Sequence, residues 1–281
     1  MRKRLNESQA EFLGLEPKLA TEHGNPKYTI TKTQHKNLIK YQESLQKDRI
    51  GYSFDIPPKH KTNTTGSNVL VIGDTHEPFV VDWYLDFCVE QYEKYNCNRV
   101  VHIGDLIDNH HASYHEISSD ALGGSTELDL AIRGVEKWTK AFPKVEVMLG
   151  NHDILVMRKA QTSAIPTRWI KEYKEVLNAP GWDFKDHTII DDVMYCHGIG
   201  SKAHIRAVKN MMSTVQGHHH TLAYVMYFVG KREKIFGMQV GCGFDEKSYA
   251  ADYGKWYPKS AIGCGVVLEN GTLPITLMMD L

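Results

Sequence analysis

Five short segments of this chain set Asp, Asn and His side by side in patterns that could hold divalent metal ions. They are Gly73-Asp74-Thr75-His76, Gly104-Asp105-Leu106-Ile107-Asp108, Gly150-Asn151-His152-Asp153, Cys196-His197-Gly198 and Gly217-His218-His219-His220. Carboxylate and imidazole are good ligands for first-row transition ions, and an Asn amide oxygen adds a neutral hard donor. A His beside such a ligand on a tight turn, as His152 is beside Asn151, can face whatever the metal holds. No single segment carries much weight alone. Each, however, follows within a residue or two a short β-rich run, at 68–72, 99–103, 145–149, 193–196 and 212–216. Apolar runs of this length closed by Gly read as buried strands. Five strands are therefore expected to bring these side chains to one edge of a sheet, beyond the carboxyl ends where open α/β sheets bind ligands.

The stretches between the strands must position them. Trp83 to Tyr95 reads as a helix with Tyr84, Phe87, Cys88, Tyr92 and Tyr95 on one face, and Glu127 to Phe142 as another through Leu128, Ile132, Val135, Trp138 and Phe142. Residues 154–180 read as a helical insertion, with Pro166 placed to start its second helix and Pro180-Gly181 to stop it. A helix is expected near Ile205 to Met212. Beyond Thr221 the pattern turns to strands at Ala223 to Val229 and Lys234 to Val240, then a hairpin at Gly265 to Gly271. βαβ units followed by mostly antiparallel strands predict an α/β fold of two sheets packed face to face with helices outside, an α-β-β-α sandwich.

Residues 1–66 differ from residues 67–281. They hold 12 Lys+Arg against 7 Asp+Glu, a net of +5, while the whole chain carries 33 against 34, which leaves 21 against 27 for the remainder. A basic extension on an acidic body is compatible with a polyanionic partner, and equally with an accessory helix or docking arm, since its Lys residues lack interleaved aromatics. Ser8 to Glu11 is expected to open a short capped helix, and Thr33 to Lys47 carries Leu38, Tyr41 and Leu45 at helical spacing. Pro57-Pro58 and Thr62 to Ser67 read as a polar linker. The five Cys are odd in number and form no CxxC pair, so they are expected to be core residues of a protein in a reducing compartment. No apolar run reaches the roughly 18 residues of a membrane span and no signal-type apolar core opens the chain, so the expected setting is cytoplasmic, without a membrane partner.

In order and type, the five segments resemble the motifs of the calcineurin-like metallophosphoesterase superfamily, D-x-H, G-D-x-x-D, G-N-H-D/E, H and G-H-x-H, across residues 73–220. The resemblance implies that Asp74, His76 and His220 bind one ion, that Asn151, His197 and His218 bind a second, and that Asp105 bridges them. Two such ions about 3.5–4 Å apart repel, so a bridging carboxylate and hydroxide are needed to hold them together. Mixed imidazole, carboxylate and amide donors suit transition ions, with Mn expected first and Fe, Zn, Ni or Co as alternatives, better than Mg or Ca. The resemblance further implies attack by the bridging hydroxide on phosphorus. His152 would contact the phosphate and protonate the leaving oxygen, and Asp108 would fix its tautomer. Asp153 is expected to brace the turn.

Departures from the superfamily's patterns bear on substrate. Its protein phosphatases read G-D-x-V-D-R-G and G-N-H-E, whereas this chain has Asn109 at the Arg position and Asp153 at the Glu position. Its break-repair nucleases share G-N-H-D and G-H-x-H but carry a long DNA-capping region after the last motif, where this chain has strand-like sequence. The stretches 241–249 and 261–267 look like those of small stand-alone bacterial and phage phosphoesterases. The expected activity is hydrolysis of nucleotide or nucleic-acid phosphodiesters, the alternative a phosphomonoesterase or phosphoprotein phosphatase. A non-catalytic scaffold is a further alternative, but scaffolds of this superfamily typically lose the catalytic His or a ligand, and none is missing. Asn109, His110, His111 and Arg158 are candidate substrate contacts, with His115, Arg168 and Arg206 of the same kind. Solvated loop His and surface helix Arg are the competing readings. His219, if strand-like, should point away from the ions.

Overall fold

The computed structural model describes residues 2–16, 26–48, 66–114, 117–231, 233–254 and 259–280; His115 and nearly all of the expected linker lie outside the described residues. The chain divides into two compact units, residues 1–58 and 59–281.

In the first unit, strands β1 (Arg2–Arg4) and β2 (Lys27–Thr29) pair antiparallel, alongside helices α1 (Glu7–Phe12) and α2 (Lys32–Asp48). The ribbon has no apolar alternation and was not expected. Leu5, Ala10, Tyr28, Ile30 and Leu38 form a small core. α1 starts earlier than Ser8, because Asn6 and Gln9 make the capping box: the Asn6 side chain accepts from the Gln9 amide at 2.9 Å, and Gln9 returns the bond at 3.1 Å.

The second unit runs β3 (Val69–Ile72), α3 (Tyr84–Lys94), β4 (Arg99–His102), α4 (Gly124–Ala141), β5 (Glu146–Met148), α5 (Leu155–Thr162), α6 (Tyr173–Val176), β6 (Asp183–Lys185), β7 (His187–Ile190), β8 (Val193–Cys196), α7 (Ala203–Asn210), β9 (Ser213–Gln216), β10 (Ala223–Val229), β11 (Lys234–Val240), β12 (Gly263–Leu268) and β13 (Leu273–Met278). One sheet has the order β13-β12-β3-β4-β5-β6, with β3 to β6 parallel; the other has the order β10-β11-β9-β8-β7, with β11, β9 and β8 parallel. The inner faces meet through Val69, Val71, Val101, Ile103 and Met148 on one side and Val193, Tyr195, Val215, Met238 and Val240 on the other. Leu70, Ile72, Val100 and Val147 point the opposite way and pack under Tyr84, Cys88, Val135 and Trp138 of α3 and α4. α7 covers the far face of the second sheet. The layers are thus α-β-β-α, and the unbroken apolar runs of β3 and β8 follow from burial on both faces.

The motif strands do not all belong to one sheet. β3, β4 and β5 lie in the first, β8 and β9 in the second, and their carboxyl ends open onto the same side. Pro166 begins a single 3-10 turn, Thr167–Trp169, and the helix α6 follows four residues after that turn. Strands β6 and β7 also enter the sheets without having been expected. All five Cys are free and buried. Among the described residues, no helix is long and apolar enough to cross a membrane.

Candidate metal centre and active site

The turns after the strands hold backbone that L residues seldom adopt. His76, Asp105, Asn109 and His218 all have positive φ, between 48° and 70°. Non-glycine residues in this region persist where surrounding structure over-determines them, and they cluster at functional sites. Gly104, at φ 102°, is required: a methyl there would strike the Met148 carbonyl and the His197 ring.

Two donor clusters share Asp105. In the first, His76 Nε2 lies 3.2 Å from His220 Nε2 and 3.6 Å from Asp105 Oδ2, and His220 Nε2 lies 3.2 Å from Asp74 Oδ2. In the second, His197 Nε2 lies 3.2 Å from Asp105 Oδ2, 2.9 Å from Asn151 Oδ1 and 3.2 Å from His218 Nδ1. Both clusters can hold a metal ion. The tautomers fit that use. His197 Nδ1 is 3.1 Å from the Ile103 carbonyl, which only accepts, so Nδ1 carries a proton and a neutral ring turns its Nε2 lone pair to the cluster. The Asp108 carboxylate, 2.7 Å from His76 Nδ1, does the same for His76. Lone pairs and carboxylate oxygens then converge with nothing between them to share, the arrangement a cation resolves. Asp74 Oδ1 is also buried without a hydrogen-bond partner among the described residues.

The electrostatics describe the same crowding. Burial opposes ionisation of Asp105, but His197, His152 and His76 hold its carboxyl well below the usual range. Burial likewise pushes His197 down, yet Asp105 and Asp74 lift it to about 9, so without a cation the same carboxylates draw a proton onto Nε2, the position an ion would take. In His218 burial wins, joined by the neighbouring His197, and the ring falls to about 4.

His152 stands beside both clusters. Its amide donates to Asp105 Oδ1 at 2.8 Å, and its Nδ1 donates to the Asp108 carbonyl at 2.7 Å, so Nε2 is left for a substrate. The Asp108 carboxylate is farther from it, at 3.3 Å, than from His76. Asp108 therefore reaches His152 both through its main-chain carbonyl and through its carboxylate. Burial disfavours the charged ring, but Asp105 and then Asp108 lift His152 to about 10. Asp153 braces the turn, accepting from the amides of Gly150, Leu106 and Ile107. Burial and the Asp105 charge raise it to about 7 against those bonds.

The candidate substrate contacts separate. Asn109 is buried and donates to the His152 carbonyl at 3.0 Å, a second brace on that residue. His110 is packed, with its amide on Glu127, its Nε2 accepting from the Ser118 amide and its ring against Tyr249. His111, one-third exposed, lies 3.5 Å from Glu127. Arg206 is tied to Gln216 and the Ile199 carbonyl, and Arg168 is exposed on its 3-10 turn. The Arg158 guanidinium lies over the Tyr114 ring. His219 is in a turn and not a strand, because His218 takes φ 70°; its ring packs edge-on against His218 and it belongs to neither donor cluster.

His102 was missed. It is fully buried, its Nδ1 accepts from the Gly104 amide at 3.2 Å, and its Nε2 donates to Thr75 Oγ1 at 3.0 Å, which donates on to the Leu106 carbonyl at 2.9 Å. Burial depresses it to about 3, so it is neutral and ties the turn of Asp74 to that of Asp105. The signal was a lone polar residue inside the run Arg99-Val-Val-His-Ile.

A two-sheet sandwich with Asp and His clusters at its strand ends defines an α/β protein with a candidate site for divalent metal ions. The sequence profile described as calcineurin-like phosphoesterase matches residues 67–233, more than half of the chain, and the chain belongs to that family. Among solved structures it is similar to vacuolar protein sorting 29 from Cryptosporidium parvum, at 15% identity and TM-score 0.39 over 72% of this chain and 84% of that one. It is similar to Yfce, a phosphoesterase from E. coli, at 11% and 0.39 over 75% and 99%, and to the nuclease MPE from Pseudomonas putida, at 12% and 0.38 over 74% and 87%. Likeness at these scores carries no weight for substrate or partner. No curated protein sequence matches the chain.

Proposed function

We propose that this protein is a two-metal phosphodiesterase that hydrolyses nucleotide or nucleic-acid phosphodiesters. The observation that carries the reading is the pair of donor clusters joined at Asp105. Asp74, His76, His220 and Asp105 would hold one ion, and Asn151, His197, His218 and Asp105 the other, a mixed donor set that suits transition ions, with Mn the one to supply first. Bound there, divalent ions would supply Lewis acidity toward the phosphoryl oxygens and a water acidified to near neutral pH.

The remaining tasks fall to the chain. His152, with Nδ1 committed to the Asp108 carbonyl, offers Nε2–H to a phosphoryl oxygen and then to the leaving oxygen as it gains charge. Asn109 and the Asp105 carboxylate hold the His152 main chain at both its carbonyl and its amide. Diester preference is supported by Asn109, which puts no cation where the protein phosphatases place Arg, and by His110, whose ring is committed to packing. A monoester dianion gains most from an additional fixed cation, whereas a diester monoanion needs less neutralisation and more room. In this reading residues 1–66 are a basic accessory module to a phosphoesterase domain at 67–281, and the five reduced, buried Cys support a cytoplasmic setting.

Elemental analysis after Mn-supplemented purification should find two ions per chain, and fewer in Asp105→Asn. A panel of p-nitrophenyl phosphate, its bis-ester, cyclic nucleotides, DNA and a phosphopeptide should then show diester turnover exceeding monoester turnover. Faster hydrolysis of the monoester or phosphopeptide than of every diester would establish the phosphatase alternative.

A further inference from the structure

After the second and third motifs, the chain brings together an aromatic ring and two cations that the reaction does not use. Tyr114 follows the second motif and is 54% exposed. α5 follows the third motif and packs against the 3-10 turn His110–Ala112 just before Tyr114. From α5 the guanidinium of Arg158 lies 5.1 Å, and the ammonium of Lys159 5.4 Å, from the centre of the Tyr114 ring. Among the described residues the Lys and Arg ion pairs involve Arg99, Lys174 and Lys185, and neither of these two cations. Two like charges therefore gather on one exposed ring, whose quadrupole attracts both. Arg158 lies six residues beyond His152 along continuous helical turns, about 9 Å at 1.5 Å per residue.

We propose that Tyr114, Arg158 and Lys159 form a subsite for a nucleotide flanking the scissile phosphodiester of a single-stranded nucleic acid. The chemistry selects that ligand class. Cations answer the neighbouring phosphate, and an exposed ring answers a base whose π-face is free, which a single strand offers and a duplex hides in its stack. Phosphoprotein supplies the anion without the base. The inference rests on the phosphodiesterase reading and names the substrate class for that site.

The test uses the metal-loaded, full-length protein. Binding is followed by anisotropy of a fluorescein-labelled phosphorothioate oligothymidylate, single-stranded or annealed, and kcat/KM is compared between oligothymidylates and bis-p-nitrophenyl phosphate. Tyr114→Ala should weaken single-strand binding about 10- to 100-fold, and Tyr114→Trp should restore it. Arg158→Gln with Lys159→Gln should reduce the slope of log affinity against log salt by about 0.7 for each cation removed. In both variants the ratio of oligonucleotide to bis-ester kcat/KM should fall. Wild-type affinity and salt slope in both variants would overturn the subsite and leave the diesterase standing. So would a wild type that cleaves the bis-ester but binds no oligonucleotide. Equal affinity for the duplex would overturn the stacking role of Tyr114. A wild type that cleaves only monoesters would bring down the underlying reading, and the subsite with it.

Discussion

His76 and His152 share one aspartate, and the way they share it separates their tasks. Asp108 gives its carboxylate to His76 and its carbonyl to His152, so each ring keeps a proton on Nδ1, and His152, lifted to about 10, carries a second on Nε2. His76 then points Nε2 at Asp105 and His220, while His152, 18% exposed, keeps Nε2 for a substrate. His152→Ala is therefore expected to keep both metals and lose about 10²–10⁴ in turnover of a nucleotide diester. The loss should be smaller for bis-p-nitrophenyl phosphate, whose leaving group hardly needs a proton; equal losses would remove the acid role. Elemental analysis beside the kinetics separates the two effects. Glu77 is a different kind of residue, buried under α4 with its carboxylate accepting from the Trp138 indole at 2.8 Å. Burial pushes it up to about 7, against the pull of that bond. A raised acid contributes stability below its unfolded value of 4.5 and loses it as pH rises through 7. Glu77→Gln keeps an acceptor for Trp138 and cannot ionise. Its stability relative to the wild type should grow by about 3 kcal/mol between pH 4.5 and pH 8 in urea titrations, and a flat difference would contradict the account.

Elements meet at two glycines with opposite consequences. A methyl at Gly150 would run into the carboxylate and amide of Asp105, so Gly150→Ala should lower metal content while far-UV circular dichroism stays near the wild type. A methyl at Gly237 in β11 would meet the backbone of α7 at Ala203 and His204, neither of them a donor residue. Gly237→Ala should cost about 1–3 kcal/mol in urea titrations and leave the metal content unchanged. What could be read from sequence divides along the same physical line. β3, β4 and β8 were legible because burial on both faces demands runs such as Val-Leu-Val-Ile, β9 because Thr214 and Val215 are β-branched and precede Gly217, and α3 and α4 because one buried face demands helical spacing. β6, with Asp-Phe-Lys, and β7, with His-Thr-Ile-Ile, pair at sheet edges and are only partly buried, so little in their composition marks them. The donor residues were legible as types and spacing. Their distribution over two sheets was not, because pairing of β11 with β9 depends on register between distant segments. His102 and the capping pair Asn6 and Gln9 escaped because each depends on one specific hydrogen bond.

Across the whole molecule, the donor clusters bridge the seam between the sheets: Asp74, His76, Asp105 and Asn151 come from the first, His197, His218 and His220 from the second. Ions held there would join the layers as well as serve chemistry. Binding to the folded state alone contributes about 2.7 kcal/mol at a hundred times Kd. Stripping the metals with a chelator should therefore lower Tm by about 5–10 °C, read by differential scanning fluorimetry and reversed by Mn. An unchanged Tm would show that the clusters are empty in the working protein. The seam also governs when an ion can be kept during synthesis. Asp74 and His220 are 146 residues apart, so at roughly 5–20 residues per second a ribosome needs about 7–30 s to deliver the second after the first. For most of that interval the early carboxylates hang on an unfinished chain with no imidazole from β8 or β9 to meet them, and any ion they touched would exchange freely. An ion retained at the end would be selected by the closed geometry of the finished sandwich, not by the order in which the nascent chain encountered metals.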